Sequence, residues 1–149
     1  MITPHHLQTP KGLIQFLFIN DWDKEEIELL YKSAGWWDDP IDNSIIRKII
    51  TGSYLFCVAV NTNNNAIGMG RILSDKISIG YIHDVHIVKP YQGMKIGTTL
   101  IQLLVHVFFS NCRHQLVLLA KPGVTSFYER QGFVSTKNTI FMQILPGAL

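Results

Sequence analysis

Asp84-Val85-His86-Ile87-Val88-Lys89-Pro90-Tyr91-Gln92-Gly93-Met94-Lys95-Ile96-Gly97-Thr98-Thr99-Leu100 is the stretch on which the reading of this chain turns. A run rich in Ile and Val ends at Pro90, because proline cannot donate to a strand ladder. Gly93 and Gly97 follow, and then Ile96, Leu100, Leu103, Leu104, Val107 and Phe108 share one face at helical spacing. The segment therefore predicts a strand, a glycine-bearing loop and a helix. Backbone N–H groups at a helix start have no partner inside the helix. Together with the helix dipole they suit a phosphate or pyrophosphate, and Gly93 and Gly97 let backbone come close to such a ligand. The loop is not a Walker A loop, since no Gly-Lys-Ser/Thr follows at the right spacing. It is not a Rossmann fingerprint either: the glycine spacing differs, and the preceding strand belongs to a meander.

Upstream, Tyr54 to Val60 and Ala66 to Leu73 read as strands joined by the turn Asn61-Thr62-Asn63-Asn64-Asn65. Ile77 to Val88 adds a third antiparallel strand, and Leu13 to Ile19 is an earlier one. Between them lie two helices. Asp23 and Glu26 have capping-box spacing, with Ile27, Leu30, Tyr31 and Ala34 on one face and Gly35 as the stop. Asp42 or Asn43 caps the second, whose buried side is Ile45, Ile46, Ile49 and Ile50. Downstream, Gln115 to Ala120 reads as a buried strand, Val124 to Gln131 as a short helix stopped by Gly132, and Phe133-Val134 and Ile140 to Ile144 as closing strands. The order β-α-α-β-β-β-α-β-α-β gives a mixed sheet with helices packed on it.

At 149 residues the chain fits one domain, and 47% hydrophobic content is enough for a core rather than a disordered chain. A net charge of +2 argues against a protein held mainly on nucleic acid or on an anionic membrane surface. Only 16% of residues are charged, so some apolar surface is left for a ligand or a subunit partner. Cys57 and Cys112 make neither a disulfide framework nor zinc spacing, and read as buried thiols in a reducing compartment. The N-terminus lacks the layout of a signal peptide, and the apolar stretches Leu100 to Ser110 and Leu116 to Ala120 are too short or interrupted to span a bilayer. A cytoplasmic location is the expectation.

Gln92-Gly93-Met94-Lys95-Ile96-Gly97 resembles the phosphate loop, Gln/Arg-x-x-Gly-x-Gly/Ala, of the GNAT superfamily of acetyl-CoA-dependent N-acetyltransferases. About 30 residues further on, Phe127-Tyr128-Glu129-Arg130-Gln131-Gly132-Phe133 is similar to the late Phe-Tyr-Glu-x-x-Gly-Phe motif of that family. The resemblance implies one α+β (mixed α/β) domain over residues 1–149. Its central, mostly antiparallel twisted sheet would have about six to seven strands and about four flanking helices. The sheet would be splayed between the fourth and fifth strands, here Ile77–Val88 and Gln115–Ala120. Lys95 departs from the pattern, standing where the family has Gly. It would cost about 1–2 kcal/mol if φ is positive there. In the first helical turn the backbone cost vanishes, but a cation would oppose the helix dipole by about 0.3–1 kcal/mol, a penalty that a bound pyrophosphate would reverse. Ala120-Lys121 departs too, where many relatives carry Asn.

The resemblance implies direct acetyl transfer from acetyl-CoA, with no metal, to a small-molecule amine. Alternatives are a non-catalytic acyl-CoA sensor or interaction module and a protein or peptide N-acetyltransferase. A homodimer is also open, since GNAT domains often dimerise. Val85, His86 and Ile87 would pair with the pantetheine arm, and Gln92, Gly93, Met94, Lys95, Ile96, Gly97 and Thr98 would hold the pyrophosphate beside Phe127. Tyr128 matches the general acid. An alkyl amine of pKa near 10.4 loses its proton at pH 7 only at a cost of about 4–5 kcal/mol, so a base is useful. His83 is the first candidate base and Asp84 the second. By strand alternation, barring a bulge, Tyr81 and Val85 share the face of His83, whereas His86, three positions on, faces the other side, which argues against a metal chelate. Trp36 and Trp37, followed by Asp38, Asp39 and Asp42, suit a cationic acceptor, with Arg71 and Tyr81 as further candidates at the acceptor site. His5, His6, His106 and His114 have no supporting constellation.

Overall fold

A computed structural model describes residues 4–37, 42–111 and 115–147. Asp38, Asp39, Cys112 and His114 lie outside the described residues. The chain sorts into two compact units, Met1–Leu119 and Ala120–Leu149.

The first unit holds a six-stranded sheet in sequence order: β1 (His5–Thr9), β2 (Gly12–Phe18), β3 (Leu55–Val60), β4 (Ala66–Ser74), β5 (Ile79–Ile87) and β6 (Gln115–Leu118). Neighbours are antiparallel as far as β5, and β6 runs parallel to β5. The expected mixed sheet is thus present, with one strand more at its start. β1 carries no apolar alternation to announce it. Its signal is the turn at Pro10-Lys11-Gly12, where Thr9 Oγ1 accepts from Lys11 N at 3.2 Å and donates to the Gly12 carbonyl at 2.7 Å.

Two layers cover the sheet. On one face lie α1 (Lys24–Ser33) and α2 (Asn43–Thr51). Asp23 caps α1 by accepting from Glu26 N, and Asp42 caps α2 by accepting from Ser44 N. Ile27, Leu30, Tyr31, Ile46 and Ile50 bury against Phe56, Val58, Val60 and Met69. Ile45, expected on the buried side of α2, is exposed. On the other face α3 (Ile96–Asn111) presses Leu100, Leu104 and Phe108 onto the sheet. It comes so close that a Cβ at Gly70 would sit 2.6 Å from Leu100 Cδ2, and one at Gly80 would sit 2.5 Å from Phe108 Cε2. Cys57 is buried, which pushes its thiol pKa up to about 12 and makes it a packing residue. Among the described residues no helix is long and apolar enough to cross a membrane.

The splay expected between Ile77–Val88 and Gln115–Ala120 has a definite form. The β5–β6 ladder runs from Ile79 opposite Gln115 to Ile82 opposite Leu118 and stops there. The last five residues of β5, His83 to Ile87, are outside that ladder.

In the second unit α4 (Thr125–Glu129) ends in a turn in which Gln131 N and Phe133 N both bond the Tyr128 carbonyl and Gly132 takes φ +93°. The closing strands expected at Phe133-Val134 and Ile140–Ile144 do not form. Val134, Ile140 and Met142 are 83%, 85% and 86% exposed. The segment has strand composition, but composition makes a strand only where a neighbour supplies a ladder.

The close approach of α3 yields a test. Gly80→Val should destabilise the fold by about 1–3 kcal/mol through overpacking against Phe108 and Leu116. Urea unfolding would measure it, and an unchanged midpoint would mean that α3 is not seated as described.

Candidate active site

The site begins with a mismatch in strand register. His86 lies opposite Met69 and His83 opposite Arg71, so Gly70 alone faces both Asp84 and Val85. This is a β-bulge, one extra residue on β5. Asp84 takes φ +52°, a left-handed conformation that aspartate tolerates better than most residues. Side-chain alternation slips at that point. Val85 turns toward Gly70 and the α3 face. His83, Asp84 and His86 all turn toward α1. Two expectations are thereby corrected: His83 and His86 share a face, and Val85 leaves it. Tyr81 stays with His83, their ring centroids 5.2 Å apart. Among the described residues no cluster of three or more His, Cys, Asp or Glu side chains could hold a metal ion.

The bulge gathers four polar side chains. The Asp84 carboxylate meets His83 Nδ1 at 2.5 Å on Oδ1. Its Oδ2 accepts from Arg71 Nε at 2.6 Å and from the Tyr31 hydroxyl. Arg71 also donates to Ser53 Oγ at 3.4 Å, and its Nη2 lies 3.2 Å from His83 Nδ1. That nitrogen cannot accept from Arg71 and donate to Asp84 at once. The shorter contact, to a carboxylate, places the proton on Nδ1. In the neutral ring the lone pair is then on Nε2, which has no hydrogen-bond partner among the described residues. The His83 side chain is 39% exposed, against 10% for Asp84. Burial raises the Asp84 pKa, but hydrogen bonds from His83 and Tyr31 and the Arg71 charge outweigh it and hold the carboxyl below its ordinary value. Burial, and then the Asp84 charge, push Tyr31 far up, so its hydroxyl keeps its proton.

Beside this cluster stands an aromatic wall. Tyr31 stacks on Trp37 at 3.8 Å and 6° and meets the edge of Trp36 at 5.9 Å. Trp36 in turn meets the His86 ring at 5.8 Å. His86 Nε2 is 2.7 Å from Ser33 Oγ, whose own proton goes to the Leu30 carbonyl, so the imidazole donates. Trp36 and Trp37 therefore pack, just after α1, against Tyr31, and Trp36 also against His86. Asp42, expected to join them, is the exposed cap of α2. Tyr31 is the residue that sequence reasoning missed. Its spacing marked it as core, which it is, but nothing local showed that its hydroxyl would meet Asp84.

After β5 the chain makes a short 3₁₀ turn, Lys89–Tyr91, and the Gln92 side chain folds back to donate to the Ile87 carbonyl at 2.8 Å. Asn61 Nδ2 donates to the Tyr91 hydroxyl at 3.2 Å, which ties the Asn-rich turn to the loop. Gly93 takes φ +78° with nothing within 4 Å of where a Cβ would stand. Lys95 takes φ +63°, so of its two expected states the strained one is real. Its carbonyl accepts the first helical bond, from Thr99 N at 2.9 Å, and also the Thr99 hydroxyl at 3.1 Å. The N–H groups of Ile96, Gly97 and Thr98 precede that bond and so have no partner within the helix.

In the second unit Tyr128 is half-buried, with ring centroids 5.0 Å from Phe127 and 5.9 Å from Phe133. Burial raises its pKa.

The acetyltransferase (GNAT) domain family matches residues 19–146. An uncharacterized N-acetyltransferase, ycf52-like, of Prochlorococcus marinus is 32% identical over 79% of this chain and 66% of its own length. An uncharacterized ycf52 N-acetyltransferase of Pyropia yezoensis is 29% identical over 73% of this chain and 63% of its own. The chain thus spans a little under two thirds of these curated relatives. Among solved structures, a Staphylococcus aureus protein described as a probable acetyltransferase superposes with a TM-score of 0.75 at 20% identity, covering 89% of this chain and 98% of that one. Glucosamine-6-phosphate N-acetyltransferase of Arabidopsis thaliana superposes with a TM-score of 0.70 at 16% identity, covering 89% and 98%. These likenesses share the fold, and the family match over residues 19–146 runs through the bulged strand, the Gln92–Gly97 loop and the Tyr128 segment: the chain belongs to the GNAT acetyltransferase family.

Proposed function

We propose that this protein is an N-acetyltransferase that uses acetyl-CoA to acetylate a primary amine of a small molecule, its two units serving one GNAT domain. The observation that carries this reading is the junction of β5 with α3. A strand whose last five residues lie outside the β5–β6 ladder runs directly into a loop with two left-handed residues and then a helix N-terminus. Val85, His86 and Ile87 offer backbone groups to an extended amide-bearing arm. The loop from Gln92 to Thr98 offers N–H groups to a pyrophosphate. Both features fit coenzyme A. Phe127 is placed beside the cofactor by its motif alone.

Acetyl-CoA supplies the acetyl group as a thioester. His83 Nε2 takes the proton that the amine gives up as its nitrogen bonds the acetyl carbon. Tyr128, assigned by motif, gives its hydroxyl proton to the sulfur as the C–S bond breaks. A backbone N–H of β5 faces the carbonyl oxygen as charge develops on it. The wall of Trp36, Trp37 and Tyr31, with Tyr81 and Arg71 nearby, supports a small cationic or aromatic acceptor. A second reading, acetylation of a protein, has one observation in its favour: a Glycine max protein named histone acetyltransferase TAP1 is 26% identical over 83% of this chain. A panel of small amines and lysine peptides separates the two. Faster turnover of peptides would favour the second.

Gly93→Val should weaken acetyl-CoA binding at least tenfold by calorimetry, because a branched side chain is disfavoured at φ +78°. Unaltered affinity would remove the loop from the cofactor site. Tyr128→Phe should lower kcat by about 10²–10⁴-fold with little change in KM for acetyl-CoA. Its pH behaviour follows from sign: an acid works only while protonated, and burial raises this tyrosine above its ordinary value near 10. The Tyr128-dependent fall in kcat should therefore lie above pH 10, and a fall in the neutral range that vanishes in the phenylalanine variant would contradict the assignment.

A further inference from the structure

We infer that Asp84 is the positioning residue of His83, and that Tyr31 and Arg71 hold Asp84 in that role. The inference rests on the proposed acetyltransferase reading with His83 as base, and it assigns the two adjacent residues different work. In a regular strand, neighbouring side chains point to opposite faces, so His83 and Asp84 could not meet. The bulge opposite Gly70 and the left-handed backbone at Asp84 bring both to the α1 face, with Nδ1 2.5 Å from Oδ1. An anion fixed at Nδ1 selects the tautomer with the lone pair on Nε2 and stabilises the imidazolium once Nε2 has taken a proton, the part an aspartate plays behind the histidine of a catalytic triad.

Asp84 is poorly placed to be the base itself. Oδ1 is engaged by His83, and Oδ2 by Tyr31 and Arg71. A carboxylate so engaged is a weak proton acceptor. His83 is the more exposed of the pair, and its Nε2 points away from these bonds. The clamp spans three elements: Tyr31 comes from α1, Arg71 from β4, and Asp84 and His83 from β5. The charged and titratable groups around His83 on these elements are Arg71, Asp84, Tyr81 and Tyr31. The carboxylate, 2.5 Å from Nδ1, is the nearer charge to the ring, and the Arg71 guanidinium, with Nη2 at 3.2 Å, offsets only part of its field.

The test uses Asp84→Asn, because asparagine also tolerates the left-handed backbone. An amide can donate to Nδ1, which would move the ring proton to Nε2. Two readouts are taken on the full chain: the side-chain ¹⁵N shifts of His83, which report the tautomer, and steady-state kinetics. The expected result is Nδ1–H in the native protein, Nε2–H in Asp84→Asn, and kcat lower by about 10²–10⁴-fold with KM for acetyl-CoA little changed. Tyr31→Phe, which keeps the ring stacked on Trp37, should retain the native tautomer and lose about 3–10-fold in kcat, as expected for one hydrogen bond to the carboxylate. An Nε2–H tautomer in the native protein, or none of these changes in Asp84→Asn, overturns the inference. A switched tautomer with undiminished kcat overturns instead the assignment of His83 as base, so the two failures are distinguishable.

Discussion

One extra residue in β5 governs the geometry of this protein. Because Gly70 faces both Asp84 and Val85, the strand changes which side each residue presents. Before the bulge, Ile82 is buried beside Ile72. After it, Val85 turns to α3 while His86 turns to α1. A regular strand would have separated the polar side chains that meet here. The bulge costs backbone strain at Asp84, and the bonds to Tyr31, Arg71 and His83 offset it. Gly70 is the counterpart on β4. It leaves room for Leu100 and Leu104 of α3 where a larger residue would hold the helix off.

The same helix connects the packing of the sheet to the loop that follows β5. α3 is seated through Gly70 and Gly80, and that seat sets where its N-terminus points. The turn at Lys89–Tyr91 and the Gln92 bond to the Ile87 carbonyl fix the loop between strand and helix. The core that stabilises the sheet is thus also what aims the N-terminus of the helix, where the pyrophosphate is proposed to bind. Tyr31 illustrates the same economy on the other face. It is buried against the sheet, stacked on Trp37 and bonded to Asp84.

Local signals carried much of this. Strands β2 to β5 and helices α1 to α3 follow from apolar periodicity and from caps such as Asp23 and Asp42, because these depend on residues a few positions apart. The turn from β5 through Gln92–Gly97 into α3 was legible for the same reason. What was not legible depends on pairing over distance. The bulge is a relation between β4 and β5, so alternation placed Val85 and His86 on the wrong faces. β1 lacks an apolar stripe and exists because β2 offers it a ladder. The run Ile140–Ile144 has the composition of a strand, and its exposure reflects the missing ladder. The hydroxyl of Tyr31 meets a carboxylate 53 positions away, which no window of sequence contains.

Lys95 carries a further consequence. A lysine at φ +63° is strained by about 1–2 kcal/mol relative to glycine there. Such a conformation persists only because neighbours impose it: the Thr99 bonds to its carbonyl, the Gln92 clasp and the Asn61 brace on Tyr91. The curve of the loop is therefore set during folding rather than at the encounter with a ligand. For the proposed pyrophosphate this means a cradle whose entropy has already been surrendered, so that less of the binding energy would be lost to ordering the chain.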